Sequence, residues 1–399
     1  MKKSIVKLFG IFAVTATILT GCSSSDDSSS SSTFQLDANN FQGNIEDGEV
    51  ILNANTVYKL TGALIVKETA TLTIPAGTVI EGINGTSSYI AVAQGGKINV
   101  NGTASNPVVM TSGLATKAAG DWGGLVICGK APINDVSGGT ATASSEVAGL
   151  TYGGTIANDN SGSIKYLRVE YAGASFSATK EFNGVSLFGV GSGTTFEYVQ
   201  AFHGADDGFE FFGGTVNTSN LVSIGNEDDQ FDWTEGWNGT NTNWYGKLDF
   251  GKGNRGIEAD NYEFGFANTP ISNPTITNLT LIGAGSTADA TVYTENNGLK
   301  LRRGTRGIFT NVVLSSWKQG FNVENDETVA NIAAGSLKAT NVNFIADVAA
   351  KSKGTLTVVA PETVGATVDV TAVFTEGAAT GAGNGIGAPT WAAGWTAGF

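Results

Sequence analysis

Six short segments of this chain repeat one pattern in phase. They are Gly184-Val185-Ser186-Leu187-Phe188, Gly208-Phe209-Glu210-Phe211-Phe212, Gln230-Phe231-Asp232-Trp233-Thr234, Gly256-Ile257-Glu258-Ala259-Asp260, Gly298-Leu299-Lys300-Leu301-Arg302 and Gly320-Phe321-Asn322-Val323-Glu324. Successive copies begin 24, 22, 26, 42 and 22 residues apart, and the long interval contains an excursion around "NYEFGFANTPISNP". Within each copy apolar and polar residues alternate, which is the period of a strand with one buried face. A second series, "TFEYVQAF", "SNLVSIG", "TNLTLIG", "TNVVLSS" and "TNVNFIA", runs alongside.

A repeat of about 22 residues at about 3.3 Å per residue has a contour of roughly 70 Å, enough for three short strands and their corners. The spacing therefore predicts an all-β chain wound as a right-handed parallel β-helix, in which each coil buries its inward residues by stacking on the next. In four strands of the second series an Asn precedes the apolar pair: Asn220, Asn278, Asn311 and Asn341. Stacked amides at a corner bond along the axis, and Asn tolerates the left-handed backbone such a corner needs.

The coils are expected over residues 33–350, with a long Gly-, Ser- and Thr-rich loop at 131–163. Residues 351–399 are expected to form a last coil and a cap, in which Trp391 and Trp395 cover the end of the solenoid. "GVGSGTT" at Gly189 reads as a turn, because no helix pattern follows it as a phosphate loop requires.

Lys2, Lys3 and Lys7 precede an apolar run ending in "LTGC", so residues 1–21 read as a lipoprotein signal peptide and Cys22 as the lipidated residue, with residues 22–32 as a Ser/Asp-rich tether. Lipid anchoring in the outer membrane, at the cell surface, follows as the expectation. The formal charge is −14, from 22 basic and 36 acidic residues, and removing the three leader lysines makes it −17. Nucleic acid is excluded as an expected partner. Past Cys22 the only cysteine is Cys128, which reads as a small buried hydrophobe. With one histidine, His203, the chain is not expected to build a zinc centre or a Ser-His-Asp triad. His203 itself reads as a corner residue.

"TLTIPAGTVIEG", "GDWGGLVICGKAPIN", "DDGFEFFGGTVNTSNLVSIGNEDDQFDWTEGW" and "NRGIEADN" together resemble a group of β-helix lipoproteins and secreted proteins of the Bacteroidetes. That resemblance implies the fold and the surface location, and brings no established activity with it.

Stacking turns the repeat into columns. The outward column reads Ser186, Glu210, Asp232, Glu258, Lys300, Asn322, and the next reads Phe188, Phe212, Thr234, Asp260, Arg302, Glu324. Glu210, Asp232 and Glu258 would form an acid ladder at about 4.8 Å spacing. Such a ladder disfavours full ionisation unless a cation intervenes or one acid stays protonated. The corner acids Asp206, Asp207, Asp228 and Asp229, with Asp232 and Glu258, are candidate ligands for calcium, which accepts six to eight oxygens. Arg255, Lys300, Arg302 and Arg303 supply positive charge beside the acids, and Phe212, Trp237, Trp244 and Trp317 are expected to offer aromatic faces.

This layout suits a glycan or cell-envelope polymer, bound along one face by a non-catalytic protein. It is also similar to the arrangement in β-helix polysaccharide lyases, where acids hold calcium and an Arg or Lys removes a proton. In a lyase or glycosidase reading, Glu210, Asp232, Glu258, Arg255 and Lys300 are the catalytic candidates, and Phe212, Trp237, Trp244, Asp260, Arg302 and Arg303 bind substrate. A structural role in an outer-membrane protein complex is the third reading.

Overall fold

The computed structural model describes residues 32–139, 141–177, 180–249, 251–357 and 365–399. Cys22 and the expected signal peptide lie outside them.

The in-phase segments form a continuous parallel ladder. Strands Leu125–Cys128, Val185–Phe188, Phe209–Phe212, Phe231–Thr234, Arg255–Ala259, Asn297–Leu301, Gln319–Glu324 and Ala350–Thr355 each pair in parallel with the next. Val185, Phe209, Phe231, Ile257, Leu299 and Phe321 share one inward column and are fully buried. The N-terminal alternation behaves in the same way. In Val57–Val66 every second residue, from Tyr58 to Val66, faces the core.

The other two faces of each coil come from one strand bent in its middle. In Thr195–Phe202, Thr218–Ile224, Thr240–Lys247, Thr275–Ile282, Gly307–Ser315 and Leu337–Ile345 the parallel register skips one residue. The skipped residues are Tyr198, Asn220, Asn243, Asn278, Asn311 and Asn341, with φ between 56° and 63°. A left-handed residue costs roughly 1–2 kcal/mol unless its side chain is compensated locally. Here the amides are linked along the axis: Asn278 Nδ2 donates to Asn243 Oδ1 and Asn311 Nδ2 to Asn278 Oδ1, both at 2.8 Å. Where the ladder starts, Tyr166 and Tyr198 take the same corner and stack their rings with centroids 4.4 Å apart.

Asn243 belongs to this ladder, and that corrects the reading of the tryptophans. One residue past the corner, Trp244 is in register with Leu221 and Leu279, so it points inward and is fully buried beside Phe231. Trp237 stacks on Phe211 inside the core, and Trp317 is buried with its Nε1 donating to Leu281 O. None of the three offers an aromatic face to a ligand.

Residues 131–163 are more ordered than a loop. Gly162 and Ser163 already begin the coil strand Gly162–Glu170, and the described residues before them hold the antiparallel pair Ala143–Ser144 and Thr151–Tyr152 against the outer side of the ladder. Ile133, Val147 and Tyr152 pack there on Phe188, Phe212 and Cys128. Apolar residues in the outward columns call for such a cover.

The C-terminal region is also arranged differently from the expectation. The last coil is closed by Thr367–Val368, antiparallel to Ala350–Thr355, and by Phe374–Glu376 beside Leu337–Ile345, with Val370 and Val373 in the core. From there the chain returns along the side of the solenoid. Asn343 Nδ2 donates to Ala379 O, Thr280 Oγ1 to Gly385 O, and Gln200 exchanges two hydrogen bonds with Ala397. Trp395 lies edge-on to Tyr166 and Tyr198, far from the last coil. This strap covers the outward apolar residues Val222, Ile224 and Tyr245. Among the described residues no helix is long and apolar enough to cross a membrane.

Candidate functional site

The acid ladder forms as the spacing predicts. Glu210 pairs with Asp232, Asp232 with Glu258, and Glu258 with Lys300. One carboxylate oxygen each from Asp207, Glu210 and Asp232 lie within 4.8 Å of one another, as do oxygens from Asp229, Asp232 and Glu258, and from Asp206, Asp207 and Asp228. Burial and then the charge of Asp232 push the Glu210 carboxyl well above the usual range. Burial and then Glu258 do the same to Asp232. Asn183 Nδ2 donates to Glu210 Oε2 at 2.6 Å and opposes part of the shift. Asp206 is pushed up to about 8, by burial first and then by Glu181 and Asp228.

The cations are not free. Arg255 Nη1 contacts Asp229 Oδ2 at 2.7 Å and Glu258 Oε1 at 2.9 Å, while its Nε donates to Glu295 Oε2. Lys300 Nζ donates to Glu295 Oε1 at 2.8 Å. Arg302 Nε and Arg303 Nη1 divide the two oxygens of Asp260, each at 2.7 Å, and Arg302 also reaches Glu258. Charges this buried persist only when paired, since an uncompensated one costs several kcal/mol. Burial works against the Arg255 guanidinium, yet Asp229 and Glu258 hold its pKa above the ordinary value, which favours its protonated form. Glu295, despite burial, is pulled down to about 2 by Arg255 and Lys300. Arg255 and Lys300, catalytic candidates in the enzyme reading, are thus locked in an ion network with their side chains almost fully covered.

Beside this network a lateral cleft of about 420 Å³ opens over the ladder. Glu210, Asp232, Phe212 and Thr234 form its floor. Phe212 is nearly buried against Phe188, so it contributes an edge of the floor and no open platform. One wall is the 131–152 segment and the other the 260–264 excursion, and the two are joined: Asn134 Nδ2 donates to Asn261 Oδ1, and Asn268 Nδ2 to Asn134 O. Tyr262 OH donates to Asp135 Oδ1, and Tyr152 OH to both oxygens of Glu235 at 2.8 and 2.9 Å. Burial raises Glu235 to about 7 even though the Tyr152 hydrogen bond works the other way. Arg302 and Arg303 close one end of the cleft. Phe264, 81% exposed, stands at the rim.

The wall residues Asp135, Tyr152, Glu235, Tyr262 and Phe264 were not singled out by periodicity, because they lie off the repeat. The alternating aromatics of "NYEFGF", in an otherwise unexplained excursion, were the available signal. His203 behaves as expected: at φ 55° it stacks on Phe202, its Nε2 is 2.9 Å from Asp249 Oδ2, and it stands outside the cleft. Cys128 is buried and its thiol is pushed up to about 12 by burial.

A parallel β-helix with a walled, acid-floored cleft on its flank defines the class of this protein. Residues 43–396 match the Pectate-lyase like beta helix domain, and the chain belongs to that family. Among solved structures it is similar to the enzymatically active domain of bacteriophage CBA120 tailspike protein 2, at 12% identity and a TM-score of 0.28, over 75% of this chain and 38% of that one. The chain thus spans well under half the length of that neighbour. No curated protein matches it.

Proposed function

We propose that this protein hydrolyses a polysaccharide held in the lateral cleft. The observation that carries the reading is the Glu210–Asp232 pair, two in-register carboxyl groups with oxygens within 4.8 Å and raised proton affinities at the floor of a substrate-sized cleft. Glycosidases that retain configuration use two carboxyls about 5–5.5 Å apart, and those that invert need a wider gap for water. With one proton on the pair, Glu210, whose carboxylate accepts from Asn183, is the ionised nucleophile, and Asp232 keeps the proton and is the donor. Glu210 attacks the anomeric carbon as the Asp232 proton passes to the departing glycosidic oxygen. Asp232 then takes a proton from the water that releases the sugar from Glu210.

A lyase route is less well supported, because Arg255 and Lys300 are engaged by carboxylates. Non-catalytic glycan binding is the second reading, favoured by the exposed ring of Phe264 at the cleft rim. Release of reducing ends from a polysaccharide panel decides between them. Turnover that disappears in Glu210→Gln supports the hydrolase, while binding without turnover supports the second reading.

Two further parts of the proposal concern a cation and an anchor. Calcium suits the oxygens of Asp206, Asp207 and Asp228 through its flexible oxygen coordination. Lipidation at Cys22, with residence on the outer membrane facing outward, is supported by the "LTGC" motif and the Ser-rich segment after it.

A further inference from the structure

We infer that the glycan taken by the cleft carries positive charge, as a polymer of unacetylated amino sugars does, and is not a polyuronate. The inference rests on the proposed glycan site and names its substrate class. Seven carboxyl side chains line the cleft, against two arginines. Both arginines are already committed: Arg302 and Arg303 hold Asp260, Arg302 also holds Glu258, and Arg303 lies 3.4 Å from Glu263.

Among the described residues lining this space both cations are paired, so a uronate would meet several carboxyl groups, and like charges brought within a few ångströms in a partly desolvated cleft repel strongly. An ammonium group reverses each of these terms. It would lie over Glu210 and Asp232, whose mutual repulsion and burial are relieved by a cation, with Glu146 and Glu235 on the same cleft. The exposed ring of Phe264 and the nearby Tyr262 supply faces on which a sugar ring stacks or an ammonium sits, the second contact contributing about 0.5–1 kcal/mol at exposed sites. The charge of the whole chain, −14, draws a polycation toward the surface before it reaches the cleft. A neutral glycan gains none of this and leaves the acids uncompensated.

Calorimetry on the intact folded body can test the assignment with four probes: a glucosamine hexamer, its fully N-acetylated counterpart, and a galacturonate hexamer with and without calcium. The glucosamine hexamer should bind at least tenfold more tightly than each of the others. Its affinity should fall at least tenfold in the double variant Glu210→Gln/Asp232→Asn and roughly two- to fivefold in Phe264→Ala, but stay unchanged in Asp37→Asn, a surface acid remote from the cleft. Equal loss in Asp37→Asn would mean attraction to net negative charge alone and would overturn the inference. Tighter binding of the acetylated or galacturonate probe, lost in the double variant, would overturn the charge assignment while leaving the glycan site standing. Failure of all four probes to bind would remove the glycan site as well.

Discussion

Glu210 and Asp232 stand directly opposite each other on adjacent parallel strands, and burial together with the neighbouring acid raises the proton affinity of both above that of a solvated carboxyl. In the proposed hydrolase such a pair would sacrifice stability for chemistry. Asp232→Asn should therefore cut turnover by roughly 10²-fold or more. It should also leave Tm unchanged or higher, by about 1 °C if about 1 kcal/mol of repulsion is relieved in a chain of this length. Reducing-end assays and thermal melts on one preparation check both halves. A drop in Tm of similar size would show that the ladder is structural.

Stability should respond to pH in two windows. Glu235 and Asp206 have folded pKa values of about 7 and about 8, above the unfolded range near 4, so the folded state binds more protons between those limits. Their contribution is complete below about pH 4 and is lost as pH rises through 7 and 8. Glu295 has the opposite sign: lowered to about 2, it stabilises above pH 4 and its contribution is lost as pH falls toward 2. Melts from about pH 3 to 9 should show maximal Tm in the mildly acidic range. Glu235→Gln should flatten the decline between about pH 4 and 7.

Phe231 is fully buried between Phe209 and Trp244, whereas Phe264 is 81% exposed. Phe231→Asp should cost about 4 kcal/mol or more, through lost packing and an unpaired buried charge. The identical change at Phe264 should stay within about 0.5 kcal/mol. Denaturant melts of the two variants provide the comparison, and equal losses would contradict the inward column.

Calcium should raise the Tm of the body and chelator should reverse the rise. At a concentration a hundredfold above Kd the gain is about 2.7 kcal/mol for a ligand that binds only the folded state. Asp206→Asn and Asp228→Asn should each shrink the response. A parent protein whose melt ignores millimolar calcium would end the cation proposal.

For the anchor, Cys22→Ala should move the protein from the membrane pellet to the soluble fraction. Sedimentation with outer membrane at high salt in that variant would count against lipidation.

The winding was legible because a solenoid repeats its inward pattern at a fixed interval, so Phe209, Phe231 and Ile257 announce one another. The ladder Glu210–Asp232–Glu258 was legible for the same reason. What stayed hidden was whatever breaks the period. Missing Asn243 as a corner left Trp244 to be read as surface, when one left-handed residue turns it into the core. The pairing of Arg255 with Asp229 and Glu295 depends on side-chain reach across coils, which an alignment of columns does not express. The cleft walls come from excursions with no internal repeat to align.

The returning C-terminal strap changes how the molecule would carry load. A bare solenoid pulled from one end peels coil by coil, because each coil grips only its neighbours. Here Ala397 is fastened to Gln200, Gly385 to Thr280 and Ala379 to Asn343, so one strip of chain runs across several coils like a batten. Peeling from either end meets this strip while Trp395 still rests against Tyr166 and Tyr198. Further extension must then shear the batten from several coils together, which turns sequential unzipping into a single rupture and keeps the cleft walls in place until that rupture occurs.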